Sequence, residues 1–258
     1  MLDFKEIWSY RELLSVLTMR DIKVRYKQTV LGAAWAIIQP LTTMLIFTVI
    51  FGRLAKIPSE GFPYPVFVYA GLLPWTFFAN ALSSSGNSLV GSAHLISKVY
   101  FPRLIIPLSS VGAGLVDLLI STIILLLLML WFHVPLTFHI LAAPLLMFGV
   151  VTTALGVGTL LSALTVSYRD FRFVVPFMIQ IWLYLTPVVY GVSFIPEKYR
   201  WLLLLNPMAG YIDGFRAAFL GKPFNPASLI ISAVLSIILL CFGAAYFAKV
   251  ERRFADVI

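Results

Sequence analysis

Apolar residues in this chain fall in long blocks, and six of them reach or approach the ~20 residues needed to cross a hydrocarbon core. They occupy residues 32–51, 66–89, 104–131, 141–166, 174–192 and 229–248. The second is the least uniform, because Asn80, Ser83, Ser84, Ser85, Gly86, Asn87 and Ser88 make its latter half polar for a lipid-facing helix. The pattern predicts an all-α polytopic membrane protein with six transmembrane helices, organised as one domain over 1–258: a leading segment 1–31, a six-span region 32–248 and a tail 249–258.

Ahead of the first block, Ser9 and Glu12 have capping-box spacing and predict a helix start. Leu13, Leu14 and Leu17 then share one face, as in an amphipathic helix lying at the membrane interface. Continuing that face meets Arg20, Val24 and Lys27, so the spacing calls for a break near Arg20 and Asp21 or for basic side chains that snorkel to headgroups. Such a helix either anchors the chain or docks a partner. The connector 91–102, GSAHLISKVYFP, predicts a short helix ending before Pro102; it is either an ordinary basic loop or a docking element.

Between the fifth and sixth blocks, residues 193–225 hold Pro196, Pro207, Gly210, Gly214, Gly221 and Pro223, with WLLLL and YIDGFRAAFL between the breakers. These pieces are too short to span, and read as re-entrant helices forming a gate or vestibule. Prolines inside the blocks (Pro40, Pro74, Pro107, Pro144, Pro176 and Pro187) predict kinks, with Thr186, Thr42 and Thr43 as local hydrogen-bond partners.

Composition confirms the class, since 60% of residues are hydrophobic, 12% are charged and the mean hydropathy is +0.96. Soluble domains carry about twice that charge. The net charge of +8 resolves into a topology signal. With the N-terminus inside, Lys5, Arg11, Arg20, Lys23, Arg25, Lys27, Lys98, Arg103, Arg169, Arg172, Lys249, Arg252 and Arg253 are cytoplasmic, against Arg53, Lys56, Lys198, Arg200, Arg216 and Lys222 outside. Both termini are therefore expected in the cytoplasm, and the basic balance gives no reason to invoke nucleic acid. The leading segment lacks the form of a cleavable signal peptide, and Cys241 alone excludes intramolecular disulfides.

Asp117 is the one acid deep in an apolar block. A buried carboxylate costs about 2.5–3.5 kcal/mol on insertion scales, so it calls for a partner helix, a hydroxyl or an ion path. Aromatics cluster at block ends, as membrane-interface residues do. Trp35, Trp75, Trp182, Tyr184 and Tyr190 are the candidates for stacking on sugar rings along a path. No nucleophile, base and acid assemble into a catalytic set; His94, His133 and His139 are dispersed, so no metal site is expected; and Gly221-Lys222 is followed by Pro223 rather than the Ser or Thr of a P-loop. The chain is expected to be no enzyme, and ATP-driven transport would need the nucleotide on another polypeptide.

Four blocks carry a resemblance: LLSVLTMRDIKVRYKQTVLGAAWAIIQP, TVSYRDFRFVVPFMIQIWLYLTPVVY, LLLLNPMAGYIDGFRAAFLG and ERRFADVI. Together they look like the permease subunit of ABC-2-type polysaccharide exporters, most like those for O-antigen, with capsule and teichoic-acid exporters near. The resemblance implies a homodimer in the bacterial inner membrane, paired with two ATPase subunits that hold ATP and Mg, moving an undecaprenyl-diphosphate-linked glycan. It implies ATPase coupling through Arg11, Glu12, His94, Lys98 and the turn Tyr168, Arg169 and Asp170. It also implies a path bordered by spans one, two and five. Lys23, Arg25, Lys27 and Arg103 are candidates for the lipid diphosphate, although topology explains their placement equally well. An ion-coupled secondary transporter centred on Asp117 and a membrane-embedded glycan enzyme are the competing readings.

Overall fold

The computed structural model describes residues 4–27, 34–251 and 254. Its helices are α1 (Phe4–Ser9), α2 (Arg11–Lys27), α3 (Trp35–Phe47, continued as a π-helical stretch Thr48–Leu54), α4 (Tyr64–Gly91), α5 (Ala93–Lys98), α6 (Ile105–Trp131), α7 (Ala143–Ser167), α8 (Phe171–Leu185), α9 (Arg200–Leu204), α10 (Pro207–Leu220) and α11 (Pro226–Val250). Among the described residues, five helical stretches are long and apolar enough to cross a membrane. The start of the first expected span, and Arg252 and Arg253, lie outside the described residues.

The bundle is built around α4, which packs against α3, α6, α7, α8 and α10. In its most apolar window 78% of residues are buried, against 6% in the α3 stretch. That placement accounts for the serines of α4: the helix faces protein, and Ser85 sits against Gly158 of α7. Small residues bring the other helices close. Gly156 of α7 and Gly243 of α11 meet backbone to backbone, where any Cβ would collide. Thr153, Ser236 and Tyr211 hydrogen-bond beside that crossing, at 2.7 and 3.1 Å.

The fifth expected span differs from expectation. Its helix is α8, with 15 residues, about 22 Å at 1.5 Å per residue, and it stops at Leu185. Thr186 precedes Pro187 and adopts φ −107° and ψ 137°, the extended form that a following proline enforces. Thr186 still serves as the expected local partner, donating to the Trp182 carbonyl at 2.6 Å. The segment nevertheless traverses the bundle: Val175 lies against Gly86, and the Val189 carbonyl accepts from the Tyr64 hydroxyl at 2.7 Å at the opposite end of α4.

One expectation at the N-terminus is corrected. Ser9 does not cap a helix; it ends α1, its hydroxyl donating to the Glu6 carbonyl at 2.7 Å. Of the two alternatives at Arg20, the break is absent: α2 is continuous and packs along α6, where Arg25 reaches Asp117, while Lys23 and Lys27 point outward. The connector helix α5 ends before Pro102, as the sequence predicts.

Candidate functional site

Lys98, Arg103, Arg169, Arg172 and Lys249 mark one end of the bundle, the basic end. There α1, α2, α5 and the ends of α4, α6, α7 and α11 share a second core of Leu17, Leu89, Ile96, Phe101, Ile105, Val166, Phe247 and Phe254. The Arg103 backbone N–H donates to Glu251 Oε1 at 3.0 Å, and its guanidinium bonds the Glu251 carbonyl at the end of α11. Over this core the surface is polar and open. Arg11, Glu12, His94, Lys98, Arg169 and Asp170 are exposed, and Tyr100 and Tyr168 project to 84% and 59% exposure.

Deeper, Asp117 of α6 meets two residues of α2: the Arg25 guanidinium pairs with one carboxylate oxygen and the Tyr26 hydroxyl donates to the other. This is the partner-helix solution. It also occupies Arg25, whereas Lys23 and Lys27 stay exposed. Beside this contact lies a polar pocket of about 410 Å³, lined by residues of α2, α4 and α6 and by the turn after α4.

The far end is closed by buried charge. Arg216 of α10, counted above as an outside loop charge, is fully buried. Its guanidinium donates to the carbonyls of Pro187 at 2.8 Å, Val188 at 2.5 Å, Tyr190 at 2.9 Å and Phe67 at 3.3 Å, and lies 3.9 Å from the Phe67 ring centroid. The donors to Pro187, Val188 and Tyr190 satisfy carbonyls left outside the helix ladder where α8 ends, the requirement for irregular backbone at membrane depth, and the donor to Phe67 ties that segment to α4. Gly71 is required here, since a Cβ would fall 2.8 Å from the guanidinium and 2.9 Å from the Val188 carbonyl.

Asn206 makes a second tie. It caps α10 by accepting from the Met208 N–H at 3.0 Å, also accepts from Trp182 Nε1 at 2.9 Å, and donates to Thr186 Oγ1 at 2.8 Å. Glu60 makes a third, with Lys222 on one oxygen and Ser193 Oγ donating to the other at 2.6 Å. One carboxylate thus joins the loops after α3, α8 and α10. Burial pushes the Glu60 carboxyl up, but the Lys222 and Ser193 hydrogen bonds and the nearby charges of Lys222 and Arg216 outweigh it and hold the group below its ordinary value.

Residues 12–220 match the family model for ABC-2 type transporters. The chain belongs to the ABC-2 type transporter family. This ABC-2 transporter is 34% identical over 248 residues to the O-antigen export system permease protein RfbA of Klebsiella pneumoniae, covering 96% of this chain and 95% of that protein. It is 30% identical over 257 residues to the RfbA permease of Myxococcus xanthus, with 98% of each covered. The polysialic acid transport protein KpsM of Escherichia coli is more distant, at 25% over 246 residues and 93% of each.

On this ABC-2 transporter the aromatic candidates separate. Trp35 and Tyr184 are open, at 51% and 65% exposure, on α3 and α8. Trp182 is half-buried, its indole N–H bound to Asn206 and its ring edge-on to Phe78 at 5.0 Å. Tyr190 is half-buried, its hydroxyl donating to the Tyr184 carbonyl at 3.2 Å. Trp75 lies inside the core against Phe78 and offers no face to a sugar in this arrangement, because α4 is surrounded by protein. Trp35 and Tyr184 thus stand on exposed faces of α3 and α8, and an apolar groove of about 680 Å³ lies between α8 and the segment around α9.

Sequence reasoning missed Arg216, Asn206 and Glu60. A charge inside the apolar run YIDGFRAAFL, and Asn before a proline at a helix start, were the available signals.

Proposed function

We propose that this chain is the membrane subunit of an ATP-driven exporter of lipid-linked polysaccharide of the O-antigen type. The observation that carries the reading is near full-length similarity to O-antigen export permeases at 30–34% identity. The greater distance of the polysialic acid transporter places capsule export second. An ion-coupled mechanism loses its one candidate, because Asp117 is held by Arg25 and Tyr26.

Two copies assemble through the open faces of α3 and α8 in the bacterial inner membrane, with both termini cytoplasmic, and the basic end receives two separate ATPase subunits carrying ATP and Mg. ATP binding closes the ATPases, which move α2, α5 and the Tyr168 turn. Coupling requires that the nucleotide-bound ATPases favour one permease state over the other, so the chemistry lies in the partner and the selectivity in the contact. The tied far end then opens to release the glycan. Supporting this reading, Arg11, Glu12, His94, Lys98, Tyr168, Arg169 and Asp170 all reach the surface at one end.

The test is co-purification with a separately expressed ATPase from the same cell, followed by ATP turnover with and without lipid-linked glycan. A stable complex stimulated by the glycan is expected. Absence of a complex, or activity of the chain alone on a lipid-linked sugar, would overturn the reading.

A further inference from the structure

The polar half of α4 faces a pocket at the basic end. Ser84 and Ser88 lie one turn apart and face α2, whose Arg20 and Arg25 line the opposite wall of the same pocket. Ser92, in the turn after α4, and Ser110 of α6 complete it. Each arginine has five N–H donors. Arg20 spends Nε and Nη2 on Asp21, and Arg25 spends Nη1 on Asp117. Among the described residues the remaining guanidinium donors, and the Ser84 and Ser92 hydroxyls, have no hydrogen-bond partner. A pocket of about 410 Å³ falls within the roughly 300–1,000 Å³ range of small-ligand sites. Ser84 stands about 10 Å along α4 from the helix end at Gly91.

We propose that this pocket binds a phosphate or diphosphate group, held by the Arg20 and Arg25 guanidinium groups and by the hydroxyls of Ser84 and Ser92, while Ser88 and Ser110, whose hydroxyls donate to the carbonyls of Ser85 and Ile106, only line it. Oxyanions with three or more acceptor oxygens match planar guanidinium donors, and serine hydroxyls rotate to meet the remaining lone pairs. Asp21 also lines the pocket and Asp117 abuts it, so the site is electrically balanced. Binding here depends on directed hydrogen bonds rather than on a diffuse positive field, which separates it from the exposed Lys23 and Lys27. Arg103, engaged with Glu251, takes no part. The diphosphate of a lipid-linked glycan and the headgroup of a bilayer phospholipid share this chemistry. Assignment to the former rests on the export reading; the phosphate site itself does not.

The experiment titrates inorganic pyrophosphate into the purified full-length chain in nanodiscs of zwitterionic lipid and follows binding by phosphorus NMR. Saturable binding is expected, weakened about tenfold in Arg20→Gln and in the Ser84→Ala/Ser92→Ala double variant, and unchanged in Lys23→Gln and Lys27→Gln. Arg25→Gln is avoided because it strands Asp117. No saturable binding, or equal loss in the lysine variants, overturns the site. A second arm competes pyrophosphate with a short-chain prenyl diphosphate and with phosphatidylglycerol added to the nanodisc. Displacement by the prenyl compound assigns the site to the exported lipid, and displacement by phosphatidylglycerol alone assigns it to a bilayer lipid. If pyrophosphate binds while no ATPase complex forms, the export reading fails and the site stands.

Discussion

The two ends of this bundle use charge in opposite ways. At the far end a guanidinium is taken wholly out of solvent to hold four backbone carbonyls, and a carboxylate joins three loops. At the basic end most charges stand outward, and the paired ones border an open pocket. The difference is one of what each charge can exchange with. Buried donors at the far end cannot swap partners without a large desolvation cost, so they fix a closed arrangement. Exposed charges at the basic end are free to engage another molecule at little cost to the fold. The far end should therefore lose stability when mutated, and the basic end should lose function.

The largest effect is expected from Arg216→Met. It removes donors to four carbonyls and leaves those of Pro187, Val188 and Tyr190, which lie outside any helix ladder, without partners, which costs on the order of 3 kcal/mol or more. Thermal unfolding of the detergent-solubilised protein should shift strongly downward, and Arg216→Lys should recover little, since an ammonium cannot fork across the same acceptors. A near-native melting temperature in Arg216→Met would mean the far end is not held by this residue.

Gly71→Ala approaches the same contact from α4. The added methyl meets both the guanidinium and the Val188 carbonyl below 3.0 Å, so the post-Pro187 segment must shift, at about 1–3 kcal/mol. Combining it with Arg216→Met should give less than the sum, because both changes act on one contact. Additive losses would separate them.

Glu60→Gln is expected to act more weakly and with a pH signature. The folded carboxyl titrates below its ordinary value of 4.5, so on acidification the unfolded chain takes up the proton first. The contribution of the Lys222 and Ser193 ties is present above that value and lost as pH falls through the folded pKa. Melting temperatures of wild type and Glu60→Gln should therefore differ at neutral pH and converge in acid. A constant gap across the range would remove the ionised latch.

Much of this contrast was legible in the sequence, but unevenly. The long apolar blocks, the short α5 and the non-spanning pieces before α11 follow from length and breaker residues alone. The end of α8 at Leu185 was written in Pro187, yet the length of the apolar block outweighed it. Partners of single charges were the hidden part. Asp117 and Arg25 are separated by 92 residues, and Arg216 meets carbonyls of residues with no side-chain signature. Local spacing carries no information about such contacts. The serines of α4 were visible, but only the packing of α2 along α6 gives them something to face.

The smallest stability effect and the most selective functional one are expected from Arg169→Ala. Arg169 is exposed in the turn between α7 and α8, and its side chain makes no hydrogen bond or ion pair among the described residues, so its removal should change the melting temperature by no more than about 0.5 kcal/mol equivalent. The turn itself is kept by backbone bonds, Phe171 N–H to the Tyr168 carbonyl at 3.2 Å and Phe173 N–H to the Asp170 carbonyl at 2.9 Å. α8, entered through this turn, leads directly to Trp182, Thr186 and the carbonyls held by Arg216, which makes it the shortest covalent route from the basic end to the far end. If the ATPase acts through that route, Arg169→Ala should leave folding and membrane insertion intact while ATP turnover no longer responds to lipid-linked glycan. Normal stimulation in this variant would move the coupling contact to α2 or α5. An equal fall in stability and turnover would instead mean that the basic end, like the far end, holds the fold through its charges.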